Sequence, residues 1–245
     1  MNIYKENMIH LLFPPRCPFC DRVLFSSILA PLELVCPSCR RKPEYIREPA
    51  CKQCGKPLED SCQEYCYDCG KRRSEYKQGK ALWVYQEEVK QSIYRFKYQG
   101  RREYARYYGR ELARRYGGWM KECRIEALVP IPLYKKRQRQ RGFNQAELIA
   151  CEVSCQTEIP VYKDLLVRVR NTRAQKELND QERKNNLKKA FKTRVNKVQL
   201  NHILLIDDIY TTGSTMNEAA GELTQSGAKE VYCLSLSIGR GYQEG

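Results

Sequence analysis

Four Cys-x-x-Cys pairs stand within the first 70 residues, and they constrain the fold of this chain more than any other feature. The eight cysteines are Cys17, Cys20, Cys36, Cys39, Cys51, Cys54, Cys66 and Cys69. A Cys-x-x-Cys turn presents two thiolates to one tetrahedral ion, and a second such turn closes the site. Pairing in sequence order therefore predicts two structural zinc sites, each with four cysteine ligands and no open position. Cross-brace pairing, first with third and second with fourth, is an open alternative, as is Cys62 as a replacement ligand in the second site.

The segment that carries these pairs differs in character from the rest of the chain. Residues 1–78 are rich in cysteine, proline and charge but poor in periodic apolar patterning, and such a unit usually needs disulfides or a structural metal to be stable. Because no secretory signal is recognisable, metal ligation is favoured over a disulfide framework. We predict a domain stabilised by metal ions over residues 1–78 and a second domain over residues 79–245.

From residue 79 onward, apolar runs alternate with segments of helical periodicity. The predicted strands are 81–85, 127–132, 203–206 and 231–238, and the predicted helices are 89–96, 104–116, 144–155 and 215–225. Gly117 and Gly118 are expected to end the second helix as its C-cap. The alternation predicts an α/β domain whose mainly parallel sheet is flanked by helices.

The charge balance indicates a polyanionic partner. Forty-four Lys and Arg against 29 Asp and Glu give a net charge of +15, an excess that folding does not require. The chain has only two histidines, which excludes a multi-histidine metal centre and disfavours a Ser-His-Asp triad. No apolar run approaches the roughly 20 residues that span a bilayer, so we expect a cytoplasmic protein without an integral membrane segment.

A second motif follows the apolar run 203–206. Asp207 and Asp208 end the predicted strand, and a loop rich in hydroxyl groups then opens a helix. The loop residues are Thr211, Thr212, Gly213, Ser214 and Thr215. Backbone N–H groups and the positive end of a helix dipole suit a phosphate dianion, whereas two carboxylates suit sugar hydroxyls or a Mg²⁺ that bridges sugar and diphosphate. The loop lacks Gly-Lys-Ser/Thr and is therefore not a Walker A loop.

These motifs carry a resemblance to a known family. The segment from Asp207 to Thr215 resembles the loop of type I phosphoribosyltransferases that binds 5-phosphoribosyl 1-diphosphate (PRPP), and the chain resembles the ComF family over nearly its full length. Further shared motifs are Val129-Pro130-Ile131-Pro132, Arg137 with Arg141-Gly142-Phe143-Asn144-Gln145, and Thr172-x-x-Gln175-x-x-Leu178 with Arg183, Asn186 and Ala190-Phe191. The resemblance implies an N-terminal double zinc ribbon joined to a type I phosphoribosyltransferase-like domain, with PRPP and Mg²⁺ as ligands.

The resemblance also implies a role for individual residues. Asp207 and Asp208 would bind the ribose 2′ and 3′ hydroxyls, and residues 211–215 would hold the 5-phosphate. The residues expected to face pyrophosphate, from a loop after Pro132, are Lys135, Arg139 and Arg141. Residues 168–190 would form the mobile loop over PRPP, with Thr172 and Gln175 as candidate contacts. No catalytic residue is assigned, because no general base or acceptor pocket is evident.

Basic and aromatic residues interleave between residues 94 and 116. The tyrosines are Tyr94, Tyr98, Tyr104, Tyr107, Tyr108 and Tyr116, and the cations are Arg95, Lys97, Arg101, Arg102, Arg106, Arg110, Arg114 and Arg115. Guanidinium groups beside aromatic rings suit single-stranded DNA, because the phosphates follow the charge while the bases stack on the rings. A solvated basic helix with tyrosines packed inward is the alternative.

Three functions are consistent with these features. The first is a PRPP-binding protein that handles imported single-stranded DNA in natural competence, as the association of the ComF family with transformation implies. The second is a metabolic phosphoribosyltransferase that acts on an unidentified base or amine. The third is a zinc-ribbon scaffold for a DNA helicase or translocase, in which the PRPP site is vestigial. Whether PRPP is turned over or only sensed stays open.

Overall fold

The computed structural model describes residues 14–24, 33–170, 190–194 and 197–240. The helices are α1 (Tyr67–Gly70), α2 (Glu87–Tyr98), α3 (Tyr104–Glu122), α4 (Lys135–Arg141), α5 (Gln145–Thr157) and α6 (Ser214–Gln225). The strands are β1 (Gln78–Val84), β2 (Ala127–Pro130), β3 (Leu166–Arg168), β4 (Phe191–Thr193), β5 (His202–Tyr210) and β6 (Glu230–Ile238). A 3-10 turn at Pro37–Cys39 lies in the cysteine-rich segment.

The main sheet is parallel throughout, with the strand order β1-β6-β5-β2. Strand β5 lies inside the sheet, and its residues 203–206 are fully buried, as expected for a strand covered on both faces. The structure thus confirms the predicted α/β fold with a mainly parallel sheet. Strand β5 continues beyond the predicted end to Tyr210, because its ladder with β6 extends to the pair Tyr210–Ile238.

Successive residues of β5 point to opposite faces of the sheet and enter two separate cores. Leu204 and Ile206 join the core beneath α2, α3 and α5, whereas Ile203 and Leu205 join the core beneath α6. This division follows from the two-residue period of a strand. The cysteine-rich segment contributes to both cores.

The first part of the cysteine-rich segment docks on α3 through aromatic and polar contacts. Phe19 packs edge-on against Trp83 and Tyr107, with ring centroids 5.5 and 5.8 Å apart. Asp21 accepts hydrogen bonds from Arg101 at 2.8 Å and from Tyr104 at 2.6 Å. Although burial opposes it, these hydrogen bonds lower the pKa of the Asp21 carboxyl group. The domain boundary between residues 78 and 79 stays a prediction.

Two expectations about local structure were wrong. Helix α3 does not end at Gly117 but runs to Glu122, because its last turn is held by the buried Met120 and by Trp119, whose Nε1 donates to Gln78 Oε1 at 2.8 Å. The predicted basic loop after Pro132 is instead helix α4. Its end matches a glycine C-cap, with Gly142 at φ 78° and its N–H bonded to the Gln138 carbonyl at 2.8 Å.

Candidate functional site

The eight paired cysteines form two groups of four, in sequence order. One group holds Cys17, Cys20, Cys36 and Cys39, the other holds Cys51, Cys54, Cys66 and Cys69, and the sulfur atoms of each group lie within 4.8 Å of one another. Cys20 and Cys36 Sγ are 3.6 Å apart, and Cys54 and Cys66 Sγ are 3.7 Å apart. A disulfide needs about 2.05 Å, whereas sulfurs bound at about 2.3 Å to one tetrahedral zinc lie about 3.8 Å apart. Both groups therefore fit structural zinc and do not fit disulfides.

In the part of the chain that it describes, the structure shows neither cross-brace pairing of the cysteines nor Cys62 as a ligand in the second group. Each group combines neighbouring pairs, so the cross-brace arrangement is absent among the described residues. Cys62 is exposed and belongs to neither group. Within the second group, the hydrogen bond between Cys51 and Cys54 lowers the pKa of Cys51 and raises that of Cys54.

A cavity of about 820 Å³ opens where the carboxyl ends of β2 and β5 meet. This edge is where open parallel sheets bind their ligands, because the loops that follow the strands converge there. The acidic pair Asp207 and Asp208 lines one wall, together with Thr211, Gly213 and Thr215 of the following loop. The cavity thus brings the predicted sugar-binding pair together with three of the five residues predicted to hold the phosphate, Thr211, Gly213 and Thr215.

The two carboxylates in this cavity are electrostatically distinct. Lys97 Nζ, at the end of α2, lies 2.5 Å from Asp208 Oδ2, and both side chains are largely buried. Burial, reinforced by the charge of Asp208, raises the pKa of Asp207 to about 8, although Lys97 opposes the shift. The Asp207 carboxylate also accepts the Asp208 N–H at 2.8 Å. A ligand with hydroxyl groups, or a divalent cation, would therefore meet a pair of acids that shares one nearby ammonium group.

The loop after β5 is tightly constrained. Gly213 has φ 75°, and a Cβ atom added there would lie 2.1 Å from the Tyr210 hydroxyl oxygen. Gly213 is the N-cap of α6 and offers no side-chain acceptor to the first helical N–H groups, which leaves them suited to an anion. Thr212 and Ser214 face away from the large cavity, line a second cleft of about 410 Å³, and hydrogen-bond each other at 2.9 Å.

Cations line the same cavity as the acidic pair. Arg137 and Arg141 face it from α4, and Arg168 faces it from the end of β3. Burial, followed by the charge of Arg137, lowers the pKa of the Arg168 guanidinium, whereas the charge of Asp207 opposes the shift. Lys135 and Arg139 are exposed and do not line the cavity, because they lie on the outer side of α4.

Residues 141–145, which join α4 to α5, make contacts that hold the lining of the cavity in place. The guanidinium of Arg141 donates to Gln145 Oε1 and, at 3.3 Å, to the Tyr98 hydroxyl. Phe143 is buried against Phe96. Asn144 caps α5 by accepting the Ala146 N–H at 3.2 Å and donates to the Ile131 carbonyl at 3.1 Å. The end of β2 and the start of α5 are thereby joined at the cavity.

The sequence did not predict Lys97 in the cavity, and it gave Arg168 only as the first residue of the loop expected over PRPP. Both belong to segments remote in sequence from Asp207 and Asp208. The local signal for Lys97 is that it occupies the last turn of a helix followed by Gly100, at φ 70°. Thr172 and Gln175, the candidate contacts from residues 168–190, lie outside the described residues, as do Arg183 and Asn186.

The aromatic and basic stretch 94–116 is used mostly for packing, which corrects the expectation that it presents its tyrosines to bases. Four of its six tyrosines are buried, namely Tyr104, Tyr107, Tyr108 and Tyr116. Several of its cations hold the protein together: Arg95 donates to the Phe19 carbonyl at 2.7 Å and Arg115 to the Ile46 carbonyl at 2.9 Å. Tyr94 and Tyr98 are the two that stay exposed.

Comparisons with known proteins agree with this architecture. The double zinc ribbon domain family matches residues 8–70. Competence protein F of Haemophilus influenzae is 32% identical over 208 residues, which covers 83% of this chain and 90% of that protein. Competence protein ComFC of Bacillus subtilis is 31% identical over 226 residues, 86% of this chain and 89% of that protein. DNA utilization protein YhgH of Escherichia coli is 32% identical over 196 residues, covering 77% and 84%.

Across residues 14–24, 33–170, 190–194 and 197–240, no helix has both the length and the apolar character that crossing a bilayer demands.

Proposed function

The chain belongs to the ComF family, and we propose that it takes part in DNA uptake for competence, binding PRPP with Mg²⁺ as it handles imported single-stranded DNA. The relatives named competence protein F, competence protein ComFC and DNA utilization protein YhgH support the role in DNA uptake. The PRPP assignment rests on the cavity described above.

The observation that carries the PRPP proposal is that acidic and basic side chains line one cavity. Asp207 and Asp208 line it with the glycine loop at the start of α6, and Arg137 and Arg141 line it from α4. A sugar that carries a phosphate at one end and a diphosphate at the other matches this pattern. Its hydroxyls would meet carboxylates while its anionic ends meet N–H groups and guanidinium groups.

Each group in the cavity then has a defined task. Asp207 and Asp208 hold the ribose hydroxyls, and the loop around Gly213 holds the 5-phosphate. Arg137 and Arg141 hold the diphosphate, and Arg141 can use two N–H groups at once. Bound Mg²⁺ supplies neutralisation of the diphosphate charge. The same arrangement stabilises a departing pyrophosphate, which is the chemistry that a phosphoribosyl transfer would use.

Calorimetric titration of PRPP in the presence of Mg²⁺ tests the proposal. The zinc-loaded wild-type protein is expected to bind, and the Asp207→Ala, Asp208→Ala double variant is expected to lose binding while keeping its circular dichroism spectrum. A control that removes two exposed carboxylates elsewhere, Glu88→Ala with Asp164→Ala, should bind as wild type. Absence of heat with the wild type at saturating PRPP would overturn the assignment.

The same variants distinguish the proposed role from its two alternatives. Pyrophosphate release from PRPP in the presence of a nucleobase or amine would favour a metabolic transferase. Loss of transformation in the double variant, with partner binding retained, would exclude a zinc-ribbon scaffold with a vestigial site. Binding without turnover, together with loss of transformation, is the result that the proposed role predicts.

A further inference from the structure

Two exposed tyrosines stand one turn apart on α2. Tyr94 and Tyr98 are 51% and 62% exposed, and the centroids of their rings are 5.1 Å apart. Other tyrosines of the chain are also exposed, but these two contact each other, and neighbouring exposed rings offer faces on which planar groups can stack. In this stretch of the chain the contrast is sharp, because the tyrosines of α3 are packed inside.

The tyrosine pair lies at the mouth of the large cavity. Tyr98 lines the cavity, and the guanidinium carbon of Arg141 lies 4.9 Å from the centre of its ring. Lys97, between the two tyrosines in sequence, points inward to Asp208. The last turn of α2 therefore presents rings to the outside and an ammonium group to the inside.

Further cations stand on α4, the helix whose Arg137 and Arg141 line the cavity. Lys135, Lys136 and Arg139 are exposed, and none of them forms a hydrogen bond or an ion pair with a residue in the described ranges. Arg141, at the end of the same helix, lies over the Tyr98 ring, so α4 connects these cations to the tyrosine pair. Exposed aromatic rings next to free cations match a chain of bases and phosphates.

We propose that Tyr94 and Tyr98 form a stacking step for successive bases of a single-stranded nucleic acid, with its phosphates on the outer cations of α4. The proposal deepens the proposed function, on which its biological setting rests, by assigning the strand to the rim of the cavity rather than to α3. Stacking on ring faces requires no particular base, so binding is tolerant of sequence. A duplex is not accommodated in this way, because its bases are already stacked and paired.

Fluorescence anisotropy with a labelled 15-nucleotide oligo(dT) tests the stacking step. Stacking on an aromatic side chain is worth about 1–3 kcal/mol per base, so Tyr94→Ser and Tyr98→Ser should each weaken binding by about 5- to 150-fold. The matched control is Tyr162→Ser, which removes an exposed tyrosine outside the cavity lining and should leave affinity unchanged.

Salt dependence separates stacking from phosphate contacts. The tyrosine variants should keep the wild-type slope of log affinity against log salt, because they remove no charge. Lys135→Ala with Lys136→Ala should reduce that slope by about 1.4, since each phosphate contact to a single strand contributes about 0.7. Wild-type affinity in both tyrosine variants would overturn the proposal. Thymidine monophosphate binding as tightly as the 15-mer would also overturn it, in favour of a small-ligand site.

The outcome is separable from that of the PRPP proposal. Tyr94 does not line the cavity, so Tyr94→Ser should bind PRPP as wild type while losing affinity for the oligonucleotide. If wild-type protein fails to bind PRPP, the cavity assignment falls. The oligonucleotide measurements still decide the stacking step, because they are made without PRPP.

Discussion

The position of one lysine, Lys97, determines how charge is distributed between Asp207 and Asp208 in the cavity. Adjacent carboxylates repel each other, and burial strengthens the repulsion, so one of them holds a proton unless a cation intervenes. Lys97 is that cation for Asp208, at 2.5 Å. For Asp207, burial and then the charge of Asp208 raise the pKa to about 8.

This shift predicts the pH dependence of stability in the ligand-free protein. Folded Asp207 keeps its proton up to about pH 8, whereas the unfolded chain loses it near the ordinary value of 3.8, so this residue lowers stability as the pH rises between those values. Asp207→Asn cannot lose a proton. Its free energy of unfolding should therefore fall less steeply between pH 6 and 8, by about 1.4 kcal/mol per pH unit.

Urea unfolding of the zinc-loaded protein at pH 6, 7 and 8 measures the difference. Zinc loss affects both proteins alike, so the comparison uses the difference between variant and wild type. The exposed Asp164 supplies the control, and Asp164→Asn should follow the wild-type slope. Parallel curves for Asp207→Asn and wild type would show that Asp207 is already ionised at pH 6.

At the scale of elements, the strand and helix ends around the cavity are fixed by contacts from distant segments. The Tyr76 hydroxyl, which follows the second cysteine group, is 2.7 Å from the Tyr210 hydroxyl, and both are buried. Tyr210 in turn lies directly against Gly213. The second cysteine group and Tyr76 share one hydrophobic core with Tyr210, so this segment supports the loop at the start of α6.

Removing the Tyr76 hydroxyl should loosen that loop. Tyr76→Phe leaves the buried Tyr210 hydroxyl without this partner, which costs about 1–3 kcal/mol of stability. PRPP affinity should fall along with it, because the loop no longer holds one position. Urea unfolding and calorimetry measure the two effects, and Tyr65→Phe, at an exposed tyrosine, is the control. Unchanged values for Tyr76→Phe would mean that the loop is held by its own contacts.

Helix α3 continues through Gly117 and Gly118, and replacing these glycines is expected to increase stability. Neither Gly117 nor Gly118 has a positive φ, and a Cβ atom at either would meet nothing within 4 Å. Glycine inside a helix costs about 0.5–1 kcal/mol relative to alanine, so Gly117→Ala with Gly118→Ala should raise the free energy of unfolding by about 1–2 kcal/mol. A lower value in thermal or urea unfolding would show that the helix ends at Gly117.

At the scale of the whole molecule, the two cysteine groups belong to two different cores on opposite faces of one sheet. Cys17 and Cys39 are buried with Trp83 and the helices of one face, and Cys51 and Cys54 are buried with β5 and α6 on the other. The cysteine-rich segment is therefore part of the packing of the whole chain. Each structural zinc site contributes on the order of 10 kcal/mol to the folded state.

Removal of zinc should consequently disturb the packing of the α/β core. Trp83 is fully buried and touches Phe19, so stripping zinc with a chelator should shift tryptophan emission to longer wavelength. A Trp119→Phe background leaves Trp83 as the sole tryptophan, and atomic absorption should count two zinc ions per chain before treatment. Unshifted emission after complete removal would show that the first cysteine group folds independently of the core.

The sequence by itself determined the features that depend on neighbouring residues. Cys-x-x-Cys spacing places two thiols on one turn, an apolar run such as 203–206 demands burial on both faces, and Asn144 caps the helix that follows it. These are short-range effects, so they can be derived from residue types and spacing. The family roles of the loop residues and the domain boundary stay predictions.

Tertiary structure decided which of many similar side chains meet. It selected Arg137 and Arg141 over Lys135 and Arg139, because only one side of α4 faces the cavity. It also joined Lys97 to Asp208, more than a hundred residues away in the chain. Such choices depend on the packing of whole elements, and the free energy that settles them comes from burial on both faces of the sheet, which no local pattern contains.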